Sequence, residues 1–343
     1  MHALICEAYG PIDTLVVKDI PSPVPGPRQV LIEVKAAAVN FPDALMVQGL
    51  YQVKPPLPFT PGAEIAGIVK AVGDEVKQHK VGDRVIALTS TGGFAEECLA
   101  EATRTMPLPA CMDFETGAAL VLTYCTSLHA LKDCGHLKAG ETLVVLGAAG
   151  GVGISAIEIG KAMGARVIAA ASSDDKLELC RHVGADETVN YSSENLKDRI
   201  NELTAGKGAD IVYDPVGGPY TEPALRALAW RGRLLVIGFA AGEIPKIPLN
   251  LALLKERSIV GVYWGDSTKH DPTGHLVNLH QLNEWFAAGK IRPVVSERFP
   301  LAAAKDAIAK IANRQVKGKI VDIQVENAEP VEFGQILFVV EPA

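Results

Sequence analysis

No two cysteines in this chain stand in a C-x-x-C pair. The six, Cys6, Cys98, Cys111, Cys125, Cys134 and Cys180, are scattered along 343 residues. That pattern excludes the close spacings of zinc ribbons and dithiol redox motifs. It reads as reduced thiols of a cytoplasmic protein, many of them buried. Long apolar runs are missing too. None approaches about 18 uninterrupted residues, so no membrane span is expected. Nor is positive charge in excess. The formal net charge is −7, which argues against nucleic acid as the main partner. The opening Met1-His2-Ala3-Leu4-Ile5-Cys6 runs straight into a strand pattern and does not read as a signal peptide. Internal repeats, low-complexity tracts and long linkers are absent. What is present is ordinary globular composition, 48% hydrophobic and 21% charged, in a chain long enough for two domains.

The most informative stretch runs from Leu143 to Arg181. Leu143-Val144-Val145-Leu146 is apolar without alternation, as in a parallel strand covered on both faces. Gly147-Ala148-Ala149-Gly150-Gly151-Val152-Gly153 follows, then a helical pattern to Gly164, then a second apolar run, Arg166–Ala171. This is strand, glycine turn, helix, strand, a βαβ unit of about 30 residues. Gly150 lets backbone approach a pyrophosphate, and Gly153 lets the helix pack closely. The free N–H groups at the helix start, around Ala149, Gly151 and Val152, suit phosphate. Ala148 replaces the first glycine of the G-x-G-x-x-G pattern. A structural glycine turn in another α/β fold is the bland alternative.

The end of the second strand bears on the cofactor. An NAD site would place an acid there for the ribose hydroxyls. The position is Ala171, followed by Ser172-Ser173-Asp174-Asp175-Lys176. Two hydroxyls and a lysine can surround a 2′-phosphate, so NADPH is favoured. Asp174 and Asp175 count against it, and Ser173 also reads as a helix cap.

Six short strands separated by proline and glycine occupy the first 120 or so residues, suggesting a small barrel or sandwich. Strands alternate with helices from 143 to about 262, which gives a doubly wound parallel sheet with its crevice at the carboxyl ends of the strands. Those ends include Gly238-Phe239 and Trp264. The expected domains are 1–122, completed by 265–324, and 123–264, with 325–343 as an extra tail. The fold class is thus α/β, a β-barrel domain joined to a Rossmann domain. His270, His275 and His280 are five apart, about 140° around a helix, and read as surface histidines.

Further motifs fall in order: Asn40-Phe41-Pro42-Asp43, Pro61-Gly62-Ala63-Glu64-Ile65-Ala66-Gly67, Val81-Gly82-Asp83-Arg84-Val85, Ala148–Gly153 and Gly318-Lys319-Ile320-Val321. With the domain order they resemble the medium-chain dehydrogenase/reductase superfamily, and within it the zinc-independent, zeta-crystallin-like quinone oxidoreductases. The resemblance covers about residues 1–324 and implies a GroES-like barrel catalytic domain. Zinc members carry a ligand Cys near Asn40, a ligand His where this chain has Ala63, and a four-cysteine lobe after Val85. None of these is present, so no zinc is expected.

Without a metal, another group must polarise the substrate oxygen and supply a proton. Asn40 can donate through its amide and Tyr51 through its phenol. As bland alternatives, Asn40 bonds the turn backbone and Tyr51 is a half-buried loop aromatic. The resemblance places Asn40 in the pocket and Tyr51 near the nicotinamide. It places Thr123 near the nicotinamide amide, Tyr191 near the 2′-phosphate, and Phe239 and Trp264 in loops flanking the nicotinamide. It implies a small-molecule substrate (a quinone, an enone or an enoyl thioester) and a homodimer through the sheet edge near 258–263. An NADPH-binding protein with little turnover is the reading from another class. The tail resembles the last strands of a biotinyl carrier domain without its biotin-bearing turn, and reads as a fusion remnant or an extra hairpin.

Overall fold

In the computed structural model, residues 1–323 are described; the expected tail at 325–343 lies outside them. The first part contains β1 (His2–Ile5), β2 (Val16–Asp19), β3 (Gln29–Val39), α1 (Phe41–Val47), β4 (Glu64–Val72), β5 (Arg84–Leu88), β6 (Glu97–Glu101) and β7 (Thr105–Pro107). Helix α2 (Phe114–Leu128) then leads into the second part. There follow β8 (Thr142–Leu146), α3 (Gly151–Ala162), β9 (Arg166–Ala171), α4 (Asp174–His182), β10 (Glu187–Asn190) and α5 (Leu196–Leu203). β11 (Ala209–Asp214), α6 (Thr221–Arg226), β12 (Leu228–Val236), α7 (Asn250–Leu253) and β13 (Ser258–Gly261) complete the alternation. The chain returns through α8 (Trp264–His270), α9 (Pro272–Ala287), β14 (Val295–Pro300), α10 (Ala304–Ala312) and β15 (Lys319–Ile323).

The second part builds one six-stranded sheet in the order β10-β9-β8-β11-β12-β13. Every pairing in it is parallel. The lack of alternation in its strands has a direct cause. Leu143 and Val145 face one core layer, with α2 and α3 residues such as Leu120 and Ile157. Val144 and Leu146 face the other, with Leu196, Ile200 and Leu225. Both faces are dry, so both sets of side chains must be apolar. The first part and the return share a seven-stranded sheet, in which β15 pairs antiparallel with β3 and parallel with β14. Its interior holds Val30, Ile32, Val34, Ile65 and Ile308.

The architecture is the expected one: a GroES-like barrel and a doubly wound parallel sheet. Some elements differ. Helix α1 was not expected after Asn40. Its start signal is nonetheless local, because Asn40 N donates to Asp43 Oδ2 at 2.7 Å and Pro42 fits the first turn. Helix α8 was not expected either, and α9 begins at Pro272, with Asp271 accepting from Gly274 N. His275 is not a surface histidine. It is half-buried, 5.6 Å from the Trp264 ring, and its Nδ1 is buried without a partner among the described residues.

Helix α2 packs on β3, β4 and α3, and so joins the two sheets. A buried hydroxyl cluster pins it. Ser127 Oγ lies 2.7 Å from Ser155 Oγ and 2.9 Å from Tyr213 Oη, and Tyr213 is fully buried on β11. A neutral buried hydrogen bond of this kind contributes about 1 kcal/mol, and a partner left unsatisfied costs more. Tyr213→Phe is therefore expected to lower unfolding free energy by about 1–2 kcal/mol, read as a lower urea midpoint at unchanged slope. An unchanged midpoint would show that the cluster does not hold α2.

Candidate active site

A cleft of about 300 Å3 opens between the two sheets, at the carboxyl ends of β8, β9 and β11. Its floor is the glycine turn. Gly150 lines it, and a Cβ there would have only Gly147 O within 4 Å, at 3.4 Å, so a side chain would project into the cleft. Ala149, Gly151 and Val152 line it as well. Gly153 does not. Its Cβ would meet the Gly147 and Ala148 carbonyl oxygens at 2.5 Å, so it serves the close fit of helix on turn. The departure at Ala148 is harmless, because that methyl is fully buried in the sheet core.

One end of the cleft is cationic. Ser172, Lys176 and Tyr191 meet there with Arg314, which precedes β15. Lys176 Nζ donates to Ser172 Oγ at 3.3 Å and to Arg314 O at 3.2 Å. Burial pushes the Tyr191 phenol up to about 12, and its ring packs 4.4 Å from Tyr220. The two acids that counted against a phosphate are engaged elsewhere. Asp174 accepts from Asn190 Nδ2 at 2.9 Å, and Asp175 pairs with Lys317, whose hydrogen bond holds its carboxyl below the usual range. Ser173 does not line the cleft; its hydroxyl donates to Asp175 Oδ1 at 2.6 Å. The residues present thus fit a phosphorylated dinucleotide: a turn with bare backbone at Gly150 and Gly151 and a cationic, hydroxyl-bearing end.

The other end is built from the barrel. Asn40, Thr123 and Lys319 line it. Thr123 Oγ1 donates to Ala119 O at 3.1 Å within α2. Asn40 Nδ2 donates to Ala38 O at 3.3 Å and to Glu64 Oε2 at 3.2 Å. An amide has two N–H groups, and both are spent. The expectation that Asn40 polarises a substrate is corrected by this count. Its Oδ1 accepts from Lys319 Nζ, which also reaches Glu64 Oε2 at 3.2 Å. Glu64 is fully buried, and its Oε1 accepts from Leu122 N at 2.7 Å. Beneath them Asp43 is buried, and desolvation pushes its carboxyl up to about 7 against the pull of backbone N–H groups and Lys319.

Besides Gly153 and Ser173, four further expected residues lie off the cleft lining. Gly238 and Phe239 flank it beside Pro215 and Gly217, while their neighbour Ala240 lines it. Trp264 instead borders a separate hollow of about 60 Å3 with His275 and Asn278. It is drawn there because α8 folds its ring against α9. Tyr51 is half-buried on the barrel core. Its phenol makes no hydrogen bond among the described residues, and burial raises it above its ordinary range, with Tyr263 and Asp43 adding to the shift. Lys319, Arg314 and Glu64 were missed as site residues. Lys319 stands 279 positions from Asn40, so no local spacing could link them.

A GroES-like barrel closing a cleft against a parallel sheet with a glycine turn defines a medium-chain dehydrogenase/reductase. The family model of the alcohol dehydrogenase GroES-like domain matches residues 26–110, and that of the zinc-binding dehydrogenases matches 151–279. The quinone oxidoreductase-like protein 2 homolog of Nematostella vectensis is 39% identical, over 93% of this chain and 88% of its own. The Pseudomonas syringae quinone oxidoreductase structure aligns at TM-score 0.88 and 32% identity, over 94% of this chain and 99% of the other. The Escherichia coli quinone oxidoreductase, solved with NADPH, aligns at TM-score 0.88 and 29% identity, over 94% and 100%. The chain belongs to the quinone oxidoreductase branch of the superfamily and is an oxidoreductase. A zinc ion does not fit beside Asn40: Ala63 offers no donor, and an ammonium already bonds the Asn40 oxygen. Among the described residues no three His, Cys, Asp or Glu side chains converge for a metal.

The raised carboxyl of Asp43 has a consequence for stability. An unfolded Asp titrates near 3.9, whereas the folded group titrates at about 7. The folded state therefore binds the proton more tightly, and this contribution to stability is full below about pH 4 and lost as pH rises to about 7. Asp43→Asn, which stays neutral, is expected to stabilise the protein by a few kcal/mol more at pH 8 than at pH 4. Thermal melts across that range check it; a difference independent of pH would place the Asp43 titration elsewhere.

Proposed function

We propose that the chain is an NADPH-dependent, metal-independent reductase that passes hydride to a small quinone or another electron-poor alkene. The observation that carries the cofactor choice is the Ser172–Lys176–Arg314 end of the cleft, with Asp174 and Asp175 both engaged elsewhere. A 2′-phosphate there would meet two cations and a hydroxyl, which are the partners it needs. The Escherichia coli relative solved with NADPH supports the same reading. When bound, the cofactor supplies the hydride. The protein positions the acceptor, excludes water and stabilises the charge that develops. The cleft wall beside Thr123 includes Val39, Phe41 and Leu122, which suits a flat apolar acceptor. Tyr51, whose phenol makes no hydrogen bond among the described residues, is our candidate to deliver a proton once the acceptor is bound.

Side-by-side oxidation of NADPH and NADH against benzoquinone, phenanthrenequinone and crotonyl-CoA, with and without chelator, tests the reading. Quinone turnover that prefers NADPH and ignores chelator is expected. Turnover confined to the thioester would make the chain an enoyl reductase, and NADPH binding without turnover would make it a binding protein. Lys176→Ala with Arg314→Ala is expected to raise KM for NADPH about 10–100-fold while leaving NADH unchanged. Equal effects on both cofactors would remove the 2′-phosphate from this end. Tyr51→Phe is expected to slow turnover about tenfold or more at unchanged NADPH affinity; full turnover would take Tyr51 out of the mechanism.

We further propose a homodimer. β13 is an open edge of the parallel sheet, with Ile259 40% exposed and Leu249, Leu253 and Leu254 more exposed beside it. An unpaired edge with apolar neighbours favours pairing with a second copy. Ile259→Lys with Leu253→Glu is expected to halve the mass seen by light scattering; a monomeric parent would refute the dimer. The six unpaired thiols support a reducing, cytoplasmic setting.

A further inference from the structure

The barrel end of the cleft holds a buried cation, the ammonium of Lys319. Lys319 is 4% exposed, yet it lines the cleft. An ammonium has three N–H donors. One goes to Asn40 Oδ1 and one to Glu64 Oε2. The third has no acceptor among the described residues. Removing an ammonium and a carboxylate from water costs several kcal/mol per ion, and an apolar pair of similar volume is often at least as stable. Such a pair is a candidate for function rather than support.

The surroundings aim the cation. Glu64 is held from behind by Leu122 N, and Asn40 spends both of its N–H groups on Ala38 and Glu64. Neither can turn to a ligand without breaking these bonds. Lys319 Cδ and Thr123 Cγ2 each lie 3.2 Å from where a Gly151 Cβ would stand, so the lysine stem runs along the start of α3. Asp43, the other charged group facing it, is buried behind Asn40. Among the described side chains that line this end of the cleft, the spare donor is therefore on the Lys319 ammonium.

We propose that Lys319 is a catalytic residue: its third N–H binds the acceptor oxygen and stabilises the negative charge that hydride transfer places there. This deepens the reductase reading given above and rests on it for the identity of the acceptor. Hydride carries one proton and two electrons to the acceptor and leaves the nicotinamide oxidised. The carbon–carbon π pair shifts to form a double bond to the carbonyl carbon, and the carbonyl π pair moves onto the oxygen, which becomes an enolate or phenolate. That oxygen, held by Lys319, then takes one proton from Tyr51 or water to give the neutral product. In a desolvated cleft an ammonium acts on such an oxygen far more strongly than in bulk water. Glu64 and Asn40 are positioning residues, which hold the ammonium at the cleft wall.

The test uses the whole chain with Lys319→Met/Glu64→Gln, which removes both charges and leaves no lone buried ion, and with Lys319→Arg, which keeps the cation. Thermal melts establish that each variant folds. Three readouts are compared at one pH: NADPH affinity by fluorescence, single-turnover oxidation of saturating NADPH by benzoquinone, and binding of para-nitrophenolate to the NADP-loaded protein. The phenolate copies the charged oxygen and requires no turnover. The neutral pair is expected to lose about 100–1,000-fold in the single-turnover rate. It should bind phenolate at least about tenfold more weakly, with NADPH affinity within about threefold of the parent. Lys319→Arg should recover part of the phenolate binding. Equal phenolate binding by parent and neutral pair overturns the proposal. So does an NADPH affinity lowered about tenfold with the saturated single-turnover rate intact, because Lys319 would then be a cofactor anchor. A parent that binds phenolate through Lys319 but oxidises NADPH with no acceptor keeps the oxyanion site and refutes the reductase reading instead.

Discussion

Gly318 donates its N–H to the Ala149 carbonyl at 2.8 Å. This hydrogen bond joins the glycine turn of one sheet to the last described strand of the other, and the cleft depends on it. β15 runs antiparallel beside β3, and that pairing sets Val321 opposite Ala38 and Ile320 opposite Val39. The same register brings the next residue, Lys319, to Asn40 and Glu64. One backbone contact thereby fixes the distance between the surface that suits a dinucleotide and the wall that suits an acceptor. Loop positions alone would leave that distance soft, and transfer chemistry tolerates little misplacement.

The electrostatics of the cleft are divided between its ends. At the outer end Lys176 and Arg314 are exposed enough to exchange water for a phosphate, and the neighbouring acids are bound elsewhere. At the inner end the charges are buried and mutually satisfied except for one N–H. The outer arrangement favours affinity and selectivity. On the reading proposed above, the inner one would act on the charge that appears during reaction, since a fixed donor in a dry site needs no reorganisation. Asp43 adds a buried acid whose ionisation is costly, and its place under Asn40 ties the shape of the turn to proton occupancy.

Much of this was legible in the chain. The unbroken run Leu143–Leu146 announced a strand dry on both faces, and both faces are dry. Gly150 and Gly153 were assigned different jobs, and the space around each differs accordingly. Ser172, Lys176 and Tyr191 converge although they lie on separate elements, because successive parallel strands end on the same side of the sheet. Trp264 was misplaced for an opposite reason. It follows the last sheet strand, so chain order points it at the crevice, but helix α8 begins at that residue and turns its ring towards His275. A short helix of mixed polarity leaves little periodic signal.

The sequence by itself determined the layers, the parallel order of the second sheet, the glycine turn and the polarity of the cleft's outer end. These follow from patterns a few residues long, repeated at the periods of strand and helix, and local chemistry is enough to read them. Tertiary structure alone decided who stands at the inner end. The partners Asn40, Glu64 and Lys319 come from three distant segments. Their roles depend on how many donors each has left after the others are satisfied. Only the folded chain counts those donors, because a hydrogen bond already made between buried groups is no longer available to a ligand.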